Sequence, residues 1–106
     1  MKNFIDWKKL TLLSQGNTDI NIPLELKVMK LSEEVGELSQ AALKQIGANN
    51  VSASASHSAD AVLEEACDVL NVTLDIIISM GFKRKEVENM FSTKLDKWER
   101  KVNQFR

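Results

Sequence analysis

Two short acidic runs hold the side chains best able to do chemistry in this chain, Glu33-Glu34-Val35-Gly36-Glu37 and Glu64-Glu65-Ala66-Cys67-Asp68. On a helix, Glu34 with Glu37 and Glu65 with Asp68 are i,i+3 pairs, so the members of each pair project from neighbouring positions. Carboxylates held that close repel one another unless a cation or a proton offsets their charge. Four oxygen-bearing side chains on two facing helices suit a hard divalent cation, Mg2+ above all, with Mn2+ as a substitute. The chain has a single histidine, His57, and a single cysteine, Cys67. These numbers argue against the His- and Cys-rich ligand sets of zinc and di-iron centres and exclude an internal disulfide.

Both acidic runs fall inside long helical patterns. Asn21-Ile22-Pro23 is a helix-start signal, with Pro near the first helical position. From there Leu24, Val28, Leu31, Val35, Leu38, Ala42 and Ile46 form an apolar stripe that runs to Gly47. At about 100° per residue, Glu34 and Glu37 lie on the flank of this stripe, roughly 100° and 160° from Val35, with Glu33 beside Glu37. A second long helix is expected from Ala59 to Met80, with the stripe Val62, Ala66, Val69, Leu70, Thr73 and Ile77. Glu65 and Asp68 stand at the same angles from Ala66 as Glu34 and Glu37 do from Val35, so antiparallel packing of the two stripes would bring four carboxylates to one cleft.

The remaining segments are expected to support that pair. A short helix over Asn3 to Ser14 places Phe4, Trp7 and Leu10 on one side and ends at Gly16. Residues 48–58 (ANNVSASASHS) read as a small, polar loop in which His57 is a solvated bystander. A last helix from Arg84 to Phe105 carries Val87, Phe91, Leu95, Trp98, Val102 and Phe105 along one stripe, flanked by Lys94, Lys97 and Lys101 with Arg100 nearby. Those basic side chains either cover the edge of a core with their stems or face a polyphosphate. Cys67 and the methionines read as packing residues.

The 106 residues are expected to form one all-α domain, a bundle-like protomer of four helices with long antiparallel members. A hydrophobic content of 43 % and a scarcity of Pro and Gly favour helix in a soluble protein. Charge is segregated: residues 31–80 carry eight acids and one base, whereas residues 83–106 carry eight bases and four acids. A pI near 5.8 argues against a nucleic-acid polymer as partner. The N-terminus lacks the apolar run of a signal peptide, and the most apolar stretch, 69–82, is too short for a membrane span and contains Asp75. A cytoplasmic location is expected. Residues 69–80 are apolar nearly all round, which calls for a partner surface, most simply a second copy.

EEVGE at 33–37, then 27 residues, then EACD at 65–68 resembles the EExxE…ExxD motif of the MazG-like all-α nucleotide pyrophosphohydrolases. The resemblance continues through Asp68-Val69-Leu70 and the basic run KLDKWERK at 94–101, so it covers most of the chain after Pro23. It implies a homodimer, or a tetramer of paired dimers, that hydrolyses (deoxy)nucleoside triphosphates to monophosphate and pyrophosphate. Glu34, Glu37, Glu65 and Asp68 would hold Mg2+, and Glu33 would position or deprotonate the attacking water. Lys94, Lys97 and Arg100 would contact phosphates, with Lys44 as a further candidate. Asn71 would contact base or sugar, and Trp7 is a candidate stacking group. The chain departs from the family pattern in its short Ala/Ser-rich inter-motif loop and in having no Tyr. The competing expectation is a non-catalytic helical dimer that binds a nucleotide or a protein.

Overall fold

The computed structural model describes the backbone of residues 4–49 and 55–105, and side chains within those spans except at 48–58. The described residues form four α-helices and no strand: α1 (Trp7–Asp19), α2 (Leu24–Asn49), α3 (Ala55–Ser79) and α4 (Arg84–Gln104). The expected side-chain roles of residues 48–58, including the bystander His57, lie outside the described residues. No described helix is long and apolar enough to cross a membrane.

Local chemistry sets the helix ends. Asp6 caps α1 by accepting a hydrogen bond from the Lys9 backbone N–H at 3.0 Å. This helix starts four residues later than the sequence pattern suggested and runs through Gly16 to Asp19. A single helical Gly costs only about 1 kcal/mol relative to Ala, and the stop comes instead at Asn21, whose φ of 59° ends the helical path. Pro23 then precedes α2, its carbonyl accepting the N–H of Leu26 and Lys27. Gly81, at φ 89°, turns the chain out of α3, where a side chain would be strained. The Lys83 N–H donates to Glu86 Oε1 at 3.0 Å at the start of α4. Helix α2 passes Gly47 to Asn49 and α3 begins at Ala55, so residues 48–49 and 55–58, expected in a loop, are helical.

Packing joins α2 to α3 and α1 to α3; α4 belongs to neither interface. Contacts ascend along α2 as they descend along α3: Lys27 meets Asp75, and Glu34 and Glu37 meet Glu65. The face of α2 that packs is not the expected stripe. Lys27, Glu34 and Ala41 are buried and Leu31, Leu38, Ala42 and Gln45 half-buried, whereas Leu24, Val28, Val35 and Ile46 are exposed. The helix is rotated towards its polar side, where Lys27 finds Asp75 on α3, leaving an apolar face outward. On α3 the expected stripe is half-buried except for Leu70, which is exposed, as is Cys67. Met29, Met80 and Met90 are exposed as well, contrary to a packing role within the protomer.

A polar node pins the three packed helices. Lys27 Nζ donates to Asp75 Oδ1 at 3.1 Å, and Asn17 Nδ2 donates to Asp75 Oδ2 at 3.1 Å. Ser14 Oγ donates to the Asp75 backbone carbonyl at 3.3 Å. Lys27 is only 4 % exposed, so its charge relies on this pairing. The apolar core is thin: among the described residues Ala41 is the buried hydrophobic one. The chain exposes 8553 Å² for 11.9 kDa, against about 5,900 Å² for a compact monomer of that mass. Its radius of gyration is 16.9 Å, against about 13 Å for a compact domain of this length.

Candidate metal centre

The acidic runs meet where α2 and α3 pack. One carboxylate oxygen from each of Glu34, Glu37 and Glu65 lies within 4.8 Å of the other two. Glu34 is buried, Glu65 half-buried and Glu37 exposed, so the group opens to solvent at Glu37. Rotation of α2 puts Glu34 on the packed face itself, not on the flank of the apolar stripe. Buried carboxylates normally find partners for both oxygens. Here Glu34 Oε2 and Glu65 Oε2 are buried without a hydrogen-bond partner.

The crowding has an electrostatic signature. The Glu37 carboxyl is held above its usual range by the Glu34 charge, by hydrogen bonding with Glu65 and by desolvation. Among the described residues, the cation against the group is Lys30, whose Nζ lies 3.0 Å from Glu34 Oε1 and 3.8 Å from Glu33 Oε2. Those carboxylates raise the pKa of Lys30, first through its hydrogen bond with Glu34. The geometry fits a hard cation: three carboxylates converge from two helices, two buried oxygens are unpaired, and no nitrogen ligand takes part. Three negative charges against one ammonium also leave a net charge for a divalent ion to offset.

The other candidate residues are more dispersed. Asp68 is exposed one turn along α3 from Glu65 and stands outside the three-carboxylate group. Glu33 is exposed at the rim, close to Lys30. Asn71 and Lys44 are exposed on α3 and α2. Trp7 lies at the other end of α3, in a groove of about 460 Å³ with Thr11, Ser14, Ile78, Phe82 and Arg84. Ile78 is 13 residues beyond Glu65, about 20 Å along the helix at 1.5 Å per residue. Within one protomer Trp7 is therefore a corner residue between α1 and α3. Lys94, Lys97 and Arg100 are exposed on α4, which shares no extensive interface with α2 or α3.

Lys30 and the Lys27–Asp75 pair were not singled out from the sequence. The i,i+4 spacing of Lys30 to Glu34 is legible there; the burial of Lys27 is not, since it depends on the rotation of α2. Scans against protein-family models, curated proteins and solved structures each return no match.

Proposed function

We propose that this protein is a Mg2+-dependent nucleoside triphosphate pyrophosphohydrolase that cleaves (deoxy)nucleoside triphosphates to monophosphate and pyrophosphate, a cytoplasmic nucleotide-pool cleansing activity. The observation that carries this reading is the convergence of Glu34, Glu37 and Glu65, with two of their buried oxygens unpaired. The resemblance of residues 33–37 and 65–68 to the EExxE…ExxD motif supports the reaction class. Glu34, Glu37 and Glu65 hold the metal, and Asp68, on the neighbouring turn, completes the set by rotating inward. Bound Mg2+, which Mn2+ can replace, offsets phosphate charge and orients the triphosphate chain. Glu33, exposed at the rim, positions or deprotonates the water that attacks the α-phosphorus. Asn71 contacts base or sugar.

The same reading takes the working form to be a homo-oligomer built from antiparallel α2–α3 pairs, either a homodimer or a tetramer of paired dimers. The opposed sense of the α2 and α3 contacts supports the antiparallel pairing. The apolar faces left outward on α2 and α4, together with some 2,600 Å² of exposure beyond that of a compact monomer of 11.9 kDa, support association. Lys94, Lys97 and Arg100 then meet phosphates from a neighbouring copy, drawn by the opposite charge of α2 and α3. Lys44 and Trp7 belong to the same outer set.

The deciding experiment is incubation with a panel of nucleoside and deoxynucleoside triphosphates and Mg2+, with pyrophosphate and orthophosphate measured separately. Pyrophosphate release that falls by orders of magnitude in Glu37→Gln and Glu65→Gln is expected, because metal and bound water act as a unit. No pyrophosphate from any substrate, or unchanged rates in both variants, would overturn the reading in favour of a non-catalytic helical binding module.

A further inference from the structure

The cation already seated at the carboxylate group is part of the chain. Lys30 precedes Glu34 by one turn of α2, and its ammonium lies 3.0 Å from Glu34 Oε1 and 3.8 Å from Glu33 Oε2. The two ends of this contact differ in freedom. The Glu34 side chain is 7 % exposed and fixed against α3, whereas that of Lys30 is 56 % exposed on a flexible stem. Glu34 also keeps its second oxygen buried and unpaired, so Lys30 satisfies only part of what this carboxylate requires.

Resting on the metal-dependent reading above, we propose that Lys30 is an exchangeable counter-ion: it holds Glu34 while the carboxylate group lacks a metal, and a divalent cation displaces it. The displaced ammonium then becomes a phosphate contact at the rim. Two constraints lead there. A divalent ion engaging Glu34 fully must compete with the ammonium for Oε1. Once displaced, Lys30 remains on the turn before Glu33 and Glu34 and within side-chain reach of the same opening. A polyphosphate oxygen entering beside Glu33 would meet Lys30 first, since the Lys30 ammonium already lies 3.8 Å from Glu33 Oε2 and α4 with its basic residues shares no extensive interface with α2 or α3. Lys30 is thus a positioning and binding residue that opposes the bare metal ion but favours a metal–polyphosphate complex.

The test is calorimetric titration of Mg2+, of Mn2+ and of Mg2+ with inorganic pyrophosphate into the full chain and its Lys30→Met and Lys30→Arg variants. Melting curves first establish that the variants are folded. Lys30→Met should bind the bare metal about threefold to fivefold more tightly, the range expected when an exposed ion pair no longer competes, and Mg2+–pyrophosphate more weakly by a similar factor. Lys30→Arg, which keeps the charge, should follow the native chain in both titrations. If Lys30→Met changes neither affinity, or shifts both in the same direction, the exchange proposal is overturned while the metal-dependent reading stands. If the native chain takes up neither Mg2+ nor Mn2+, both are overturned.

Discussion

Glu37 stands where the crowding of charge is least shielded by protein. Its carboxyl is raised by the Glu34 charge first and by Glu65 next, so the folded state binds its proton more tightly than the unfolded chain does. Stability drawn from that proton is fully present below the ordinary Glu pKa of 4.5 and is lost as pH rises through the higher folded value. Without divalent ions, the melting temperature of the native chain should therefore decline across the weakly acidic range just above pH 4.5 relative to that of Glu37→Gln. Saturating Mg2+ should shrink the difference, because the ion replaces the proton as the offsetting charge. Parallel melting profiles for the two proteins at every pH would contradict this account.

At the scale of helices, Lys27 and Asp75 fix how α2 lies on α3, while Asn17 and Ser14 tie α1 to the same carboxylate and its backbone. Removing one partner of a buried pair leaves the other charge uncompensated, whereas replacing both with apolar groups can be nearly neutral. Lys27→Met should cost about 3 kcal/mol in urea unfolding, and the double variant Lys27→Met/Asp75→Leu should recover most of that loss. The same pair marks the limit of what could be read ahead. Helix number, the starts of α2 and α4 and the meeting of the two acidic runs were all legible, because Pro23, Gly81 and the repeating apolar spacing are local signals. The face of α2 that packs was not. Both the Val28–Val35–Ile46 face and the Lys27–Glu34–Ala41 face recur at helical spacing, and only the position of Asp75 on another helix favours the polar one. Asp68 was expected beside Glu65 from spacing alone, but i,i+3 geometry fixes a shared side of the helix and not a shared rotamer. Trp7 was likewise placed by chemistry without knowledge of which end of α3 would receive α1.

For the whole molecule, the main physical fact is surface left uncovered. Phe91 and Trp98 on α4 are 64 % and 65 % exposed, and Leu24, Val28, Val35 and Ile46 face outward on α2. Exposed apolar patches of this kind mark an interaction surface. If a second copy covers them, light scattering should give at least a dimer, and the melting temperature should rise with protein concentration. Replacing both Leu95 and Trp98 by Glu should then raise the dissociation constant by roughly a thousandfold, since buried anchors are typically worth about 2 kcal/mol or more each. A native chain that stays monomeric at high concentration would remove the oligomeric part of the proposal without touching the carboxylate group.

The exposure of α4 also bears on the order in which the protein folds. Isolated helices shorter than about 12–15 residues are marginal in water, and α4, at 21 residues, is only somewhat longer, with Val87 half-buried and its other residues exposed. Its backbone amides should exchange with solvent deuterium rapidly in dilute protein and become protected as concentration rises, while those of α2 and α3 near Lys27 and Asp75 stay slow throughout. In this chain the last helix would complete its folding in the act of assembly.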